Sequence, residues 1–237
     1  MSVPTVPDTV ADIVQEPARP DTPVPAPSEG AEAPSSPFFA GNPAAVGVPV
    51  FVAGSVALAL VLIGYVPPDA VGASIPIIAA ATGIGLVITT IWSAAVGQTA
   101  LASIFGIFAG FWLSYAMLVL GLTHNWFAIS AAAAVHTQAL FLITWLVILG
   151  LLTIGTLRLP LAFTVLFVLI DAALAVVLAG TINGSSNLLK AGGWLTFAFA
   201  AVGAYIYFGI ATQATGGGGI PLGPPVVKTQ GAAKTRG

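Results

Sequence analysis

The fold of this chain is decided where its polar beginning ends, in the stretch Phe38-Phe39-Ala40-Gly41-Asn42-Pro43-Ala44-Ala45-Val46-Gly47-Val48-Pro49-Val50-Phe51. From here the sequence is apolar almost without interruption to Gly209. Asn42 is a good residue to cap a helix, and Pro43 suits the first helical position, where a backbone N–H has no partner within the helix. We therefore expect a membrane-spanning helix to begin here.

A second proline follows about two turns into this helix. Pro49 donates no backbone hydrogen bond, and its ring crowds the carbonyl of Ala45. In hydrocarbon such a break is tolerated mainly where protein or a water-filled cavity satisfies the freed backbone group. The sequence thus predicts an irregularity in the first helix.

The composition is that of a membrane protein. Of 237 residues, 57% are hydrophobic and 6% are charged, whereas soluble domains carry about 25% charged residues. Apolar stretches of about twenty residues favour helices over a barrel, whose strands alternate over about ten. The chain has no cysteine, which excludes disulfides and thiol chemistry. We predict an all-α integral membrane protein with six transmembrane helices per protomer and disordered N- and C-terminal tails.

Three regions follow from the pattern. Residues 1–37 hold nine of the 18 prolines and six acids but no aromatic residue, which predicts a disordered, acidic, Pro-rich tail. Residues 38–215 form the six-helix transmembrane domain, and residues 216–237 form a flexible Gly/Pro-containing tail. The expected spans are 44–65, 71–93, 101–121, 127–152, 159–181 and 192–211. The distribution of Lys and Arg places both termini in the cytoplasm by the positive-inside rule. We expect the spans to lie in the cell (inner or plasma) membrane.

The residues contain no pattern typical of an enzyme. Paired carboxylates, metal-ligand spacings, activated nucleophiles and phosphate-binding loops are all missing from the sequence, so we expect no catalytic site, no metal and no cofactor. It also lacks the basic patch that a nucleic-acid partner would need. Transport or passive conduction of a solute remains as the class of function. An interior with so few charged residues suits a small solute with one charge or none.

Two ionisable residues within the spans are candidates for proton coupling. Asp171 lies near the middle of the fifth span, where a charge costs about 3 kcal/mol on insertion scales. It either takes up and releases a proton during transport or stays protonated and hydrogen-bonds to a neighbouring helix. His136 in the fourth span is either a proton relay or a packed, neutral imidazole. The sequence leaves these alternatives open.

The start of the first helix is a candidate anion site. The N–H groups of Ala44, Ala45 and Val46 lie at the positive end of the helix dipole, near Asn42 and Pro43. In the alternative interpretation Asn42 is only a cap that consumes these donors.

Several segments in order resemble the acetate uptake transporter family, the six-span, proton-linked acetate and succinate transporters of bacteria and fungi. The resemblance covers about residues 40 to 223. The similar segments are 42–48 (family signature N-P-A-P-L-G-L), 105–113 with its Phe-Trp-Leu, 155–158 (G-T-L-[KR]), 193–194 with 204–207 in the sixth helix, and 220–223 (L-P-[IL]-G).

The resemblance implies a homohexamer in membrane lipid, in which each protomer has its own pathway for acetate or another small monocarboxylate, together with protons. By motif position, three apolar or aromatic side chains narrow that pathway: Phe51, Phe108 and Ile170. The signature residues Asn42, Pro43, Ala44, Ala45 and Gly47 lie at the start of the first helix. An apolar constriction passes small solutes and can gate by excluding water, although residues of these types also form ordinary packed cores.

Three departures from the family pattern affect the expected function. Ala45 replaces the second proline of the signature and Pro49 follows instead, which predicts a break about one turn further along the first helix. Phe108 stands where the family usually has Tyr, so a hydroxyl that can contact a carboxylate is missing. Asp171 matches no family acid.

The predicted function is a transporter or channel-like carrier for acetate and similar short monocarboxylates, with succinate as a further candidate and protons as the coupling ion. The alternatives are a passive channel for a small neutral solute such as ammonia and a non-transporting scaffold that acts through its acidic tail.

Overall fold

A computed structural model describes residues 40–228 of the chain. The acidic tail predicted for residues 1–37 lies outside the described residues. Within 40–228, six helical stretches are long and apolar enough to cross a membrane, which confirms the predicted all-α fold. They are α1 (Ala44–Leu62), a composite second span (Pro68–Ala95), α3 (Thr99–Thr123), a fourth span (Ala131–Thr156) that contains α4 (Ala134–Thr156), α5 (Leu161–Asn183) and α6 (Ser186–Ala214).

The irregularity lies in the second span and not in the first. The second span joins a 3₁₀-helix (Pro68–Ser74), a π-helix (Pro76–Ile84) and the α-helix α2 (Gly85–Ala95). By contrast, α1 is helical throughout and includes Pro49, so the predicted break in the first helix is wrong. Proline has a helical φ. It removes the hydrogen bond to the carbonyl four residues earlier and crowds that carbonyl, and membrane helices tolerate both effects when neighbours compensate.

Two predicted helix starts are also wrong, each for a local reason. The fourth span begins at Ala131 and not at 127, because Asn125 and Ala128 have positive φ angles of 53° and 52°, which a right-handed helix excludes. The last helix, α6, begins at Ser186 and not at 192. Gly184, with φ of 59°, ends α5, and the Ser185 hydroxyl then caps α6 by accepting a hydrogen bond from a backbone N–H of its first turn.

The helices pack closely through small residues. α6 lies along α5 and α1, α4 packs mainly on α5, and α2 packs on α3. At the contact of α1 with α3, a Cβ added to Gly47 would lie 2.5 Å from the ring of Phe105. A larger residue at position 47 would therefore push these two helices apart.

The beginning of the predicted C-terminal tail is hydrogen-bonded to the helix bundle. Within residues 216–228, the carbonyl of Leu222 accepts from the N–H of Ala162 at 2.9 Å, and the N–H of Val227 donates to the carbonyl of Leu157 at 2.9 Å. This segment therefore lies across the start of α5 and the end of α4.

Candidate solute pathway

A cavity of about 530 Å³ lies inside the bundle between α1, α3, α4, α5 and α6. It extends to the connections at 64–68 and 184–186, which lie at the end of the bundle where α1 and α5 finish. No Asp, Glu, Lys, Arg or His side chain from the described residues lines it. A large, uncharged space thus enters the protein from that end.

A few polar side chains interrupt the apolar lining of this large cavity. The hydroxyl of Tyr115 makes no hydrogen bond to any residue within 40–228, so it is free to bind a solute. The hydroxyl of Thr196 donates to the carbonyl of Gly192 at 2.9 Å, and its hydrogen is thereby used within α6. The other side chains of the lining with hydrogen-bonding groups are Gln138, Thr181, Ser186 and Trp112, and the indole N–H of Trp112 is buried without a partner among the described residues.

A second, smaller cavity of about 40 Å³ lies towards the opposite end of the bundle. Its walls come from the starts of α1, α3 and α5 and from the second half of α6, and they consist only of Ala, Val, Leu, Ile and Phe residues. Phe51 and Phe108 line both cavities. These two rings therefore stand between the large cavity and the small one.

Phe51 and Phe108 belong to a layer of aromatic rings contributed by different helices. Their ring centroids are 4.7 Å apart, with a tilt of 59° between the planes. Phe199 of α6 lies 6.0 Å from Phe51, and Phe167 of α5 stacks on Phe108 at 5.8 Å. Such separations are typical of favourable aromatic pairs. Because Phe51 and Phe108 are only 6% and 4% exposed, this layer leaves little free space.

Ile170 is the third residue that the sequence places at the constriction. It is buried on α5 and lines the large cavity, but not the small one. The three predicted side chains thus border the same space: Phe51 and Phe108 at its inner end, and Ile170 along its wall.

Asp171 follows Ile170 but lines neither cavity. The hydroxyl of Thr153 in α4 lies 2.6 Å from its Oδ2, and its Oδ1 is buried without a partner among the described residues. The same hydroxyl lies 2.9 Å from the carbonyl of Leu149, so one hydrogen faces two acceptors. The carboxyl is therefore directed towards α4 and not into the cavity.

His136 is separate from all of these residues. It is exposed in the first turn of α4 and lines neither cavity. The two candidates for proton coupling are therefore not brought to the constriction.

The backbone N–H groups at the start of α1 are hydrogen-bonded to the residues that precede the helix. The N–H of Ala44 donates to Oδ1 of Asn42 at 3.0 Å, and the N–H of Ala45 donates to the carbonyl of Asn42 at 3.0 Å. The N–H of Val46 donates to the carbonyl of Pro43, also at 3.0 Å. These bonds are those of a cap, and they occupy the donors that an anion site at this position would need.

The sequence motifs did not identify Phe167, Phe199 or Tyr115 as part of the site. For Tyr115 a signal exists, because Phe108, Trp112 and Tyr115 recur at the i, i+4, i+7 spacing of one helix face and all line the large cavity. Phe167 lies on one face of α5 with Ile170 and Leu174, at the i, i+3, i+7 spacing, whereas the position of Phe199 depends on how α6 rotates against α1.

The fold and the two cavities define an integral membrane protein that encloses a charge-free internal space within a single six-helix bundle. The chain belongs to the GPR1/FUN34/yaaH family, whose family model matches residues 27–216. This match confirms the family predicted from the motifs.

A solved structure titled "Structure of the bacterial acetate channel SatP" is similar to this chain in fold. The two chains share 22% sequence identity with a TM-score of 0.68, and the similarity covers 77% of this chain and 99% of the other. No curated protein matches the sequence.

Proposed function

We propose that this protein carries acetate and similar short monocarboxylates, together with protons, along a path through the two cavities and the aromatic layer between them. The arrangement of Phe51 and Phe108, which line both cavities, is the observation that carries the proposal. Membership of the family and a fold similar to that of a protein described as an acetate channel support acetate as the substrate.

The aromatic layer acts as an apolar constriction in this proposal. Phe51 and Phe108 offer no hydrogen bond to a passing solute, and the small cavity beyond them is equally apolar. Water is expelled readily from such a passage, so a hydrated ion meets a barrier while a small, weakly hydrated solute passes. A proton that travels with the carboxylate removes its charge and lowers this barrier.

The large cavity serves as the vestibule that collects the solute. At about 530 Å³ it is much larger than the space that acetate fills, so the constriction and not the vestibule sets the size limit. The free hydroxyl of Tyr115 and the unpartnered indole N–H of Trp112 are groups that would donate a hydrogen bond to a carboxylate there. Succinate fits the vestibule but presents two carboxyl groups to the apolar layer, and we therefore expect slower flux for succinate than for acetate.

Uptake of labelled acetate into proteoliposomes under an inward proton gradient tests the proposal. We expect uptake above that of protein-free vesicles and a clear decrease when the gradient is collapsed. Uptake equal to that of protein-free vesicles would overturn acetate transport. Uptake that is unaffected by the gradient would overturn proton coupling alone.

A matched pair of variants distinguishes a path through the protomer from a leak around it. Ile170→Phe enlarges a buried side chain that faces the large cavity, whereas Val168→Phe enlarges a side chain of the same helix that is 50% exposed on the outside of the bundle. We expect Ile170→Phe to lower acetate flux and Val168→Phe to leave it unchanged. Equal flux in both variants would place the path elsewhere.

A passive channel for a neutral solute such as ammonia is a second candidate. The wholly apolar lining of the small cavity favours it, since an uncharged molecule loses least on entering such a space. A stopped-flow measurement of internal pH after addition of ammonia or of acetate separates the two proposals. A response to ammonia without a response to acetate would favour the channel.

The assembly in the membrane is also a proposal. Several large apolar side chains of α4 are exposed, as at Leu140 (66%), Leu151 (63%) and Ile154 (65%). Lipid and neighbouring copies in the homohexamer implied by the family resemblance would cover such a surface. Native mass spectrometry of the detergent-solubilised protein tests this, and a monomeric mass would refute it.

The orientation follows from the positive-inside rule, with both termini in the cytoplasm. A fluorescent protein fused to the C-terminus folds only if that terminus stays in the cytoplasm. Absence of fluorescence from an otherwise well-expressed fusion would reverse the proposed orientation.

A further inference from the structure

The second span contacts the backbone of α1 immediately before Phe51. Thr82, fully buried within the π-helix, donates its hydroxyl hydrogen to the carbonyl of Val50 at 2.9 Å. Most other Ser and Thr hydroxyls of the spans donate to a carbonyl three or four residues earlier in their own helix, as Thr89 does to Gly85 at 2.8 Å. The Thr82 bond instead joins two different spans, and its acceptor is the residue next to the proposed constriction.

This contact depends on a close approach that only glycine permits. A Cβ added to Gly54 would lie 2.5 Å from Oγ1 of Thr82. On the facing surface, a Cβ added to Gly85 would lie 3.3 Å from Cγ1 of Val50. The turn of α1 that carries Phe51 is thus packed directly against the end of the π-helix.

The backbone of α1 lacks one of its regular helical hydrogen bonds in the turn before Phe51. Pro49 has no N–H, so the carbonyl of Ala45 lacks the regular helical donor. Further along, the carbonyl of Phe51 accepts from the hydroxyl of Ser55 at 2.8 Å. Two hydroxyl groups therefore bind the backbone carbonyls of this turn. Ser55 of α1 binds the carbonyl of Phe51, and Thr82 of the second span binds the carbonyl of Val50.

We propose that Thr82 is a positioning residue, which fixes the turn of α1 that carries Phe51 and so sets the gap between Phe51 and Phe108. The inference rests on the proposed path through this layer. The π-helix matters here because it places Thr82 against α1, in keeping with the frequent occurrence of π-turns at functional sites.

The first test is solute selectivity in proteoliposomes. Thr82→Val keeps the branched shape but removes the hydroxyl, whereas Thr82→Ser keeps the hydroxyl. We expect Thr82→Val to raise the butyrate-to-acetate flux ratio by about two- to tenfold, the range that corresponds to loss of one hydrogen bond, and Thr82→Ser to resemble the wild type. Thr89→Val is the matched control, because Thr89 is equally buried and bonds only within its own helix.

An unchanged flux ratio in Thr82→Val, or an equal change in Thr89→Val, would overturn the role of Thr82. A loss of total activity at constant selectivity would also count against it, since general destabilisation acts that way. If Thr82→Val does not purify as a folded protein, Thr82→Ala removes the same hydroxyl and provides the same comparison.

A second measurement does not depend on the substrate. The chain contains no cysteine, so Val48→Cys introduces a single thiol into the small cavity beyond Phe51. In detergent, we expect a small thiol reagent to label this site several-fold faster when Thr82→Val is present than when Thr89→Val is present. Equal rates would refute the positioning role. This result stands even if the wild type carries no acetate, so the two proposals fail independently.

Discussion

Replacing Phe51 with alanine should remove the barrier between the two cavities. The ring lies between a space of about 530 Å³ and one of about 40 Å³, and its loss would join them. Truncation of a buried Phe typically costs about 3–5 kcal/mol of stability. We expect the lower end of that range, because part of the ring already borders empty space and therefore has fewer packing contacts to lose.

The effect on transport should be a loss of size discrimination. A tight apolar site distinguishes one methylene by about tenfold or more, so an open passage should raise the propionate-to-acetate flux ratio of Phe51→Ala by about that factor. Competition of unlabelled acids of increasing length against labelled acetate in proteoliposomes measures the change. We expect the size limit to move upward while acetate itself is still carried.

Phe197→Ala is the control for this experiment. Phe197 lies on α6 in contact with Trp194 and lines neither cavity, so its truncation should leave selectivity unchanged. If Phe51→Ala folds and transports acetate with the size limit of the wild type, Phe51 does not form the constriction, and the reasoning from the two cavities is refuted.

Three further changes test other parts of the structure. Phe108→Tyr restores a hydroxyl to the aromatic layer and should lower the KM for acetate by about two- to tenfold; an unchanged or raised KM would show that the ring does not contact the substrate. Asp171→Asn should flatten the pH dependence of uptake if the carboxyl cycles a proton, and an unaltered profile would leave it as a packing group bonded to α4. Gly47→Ala places a Cβ 2.5 Å from the ring of Phe105 and should lower stability by about 1–3 kcal/mol in thermal unfolding. Gly150→Ala, with no atom within 4 Å of the added Cβ, should lower it much less, and equal losses would contradict the packing argument.

The number and type of spans could be predicted because each hydrocarbon crossing requires an apolar run of nearly fixed length. The first and last residues of the helices were harder to predict, because hydropathy alone does not indicate where a helix ends. Residues 181–187 appear polar enough for a long loop, yet Gly184 and Ser185 alone separate α5 from α6. A left-handed glycine followed by a serine cap is a stronger signal for a helix boundary than the polarity of its neighbours.

The geometry of the site could be predicted only in part. The distance of Phe51 and Phe108 from the family motifs predicted that both line the pathway, and both rings border the two cavities. The π-helix at Pro76–Ile84 had no such signal, because the change to hydrogen bonds five residues apart depends on packing against α1. The pairing of Asp171 with Thr153 is equally invisible in the sequence, since it depends on how α4 rotates against α5.

The hydrogen bond from Ala162 to Leu222 has a consequence for how the protein matures. Pro160, just before α5, has no side-chain oxygen with which to cap the helix, and the carbonyl of Leu222 accepts from the N–H of Ala162 instead. During synthesis, this acceptor leaves the ribosome only after all six spans. A nascent chain that stops at Thr215 would therefore contain all six spans described within residues 40–228, while the first turn of α5 would still lack this acceptor.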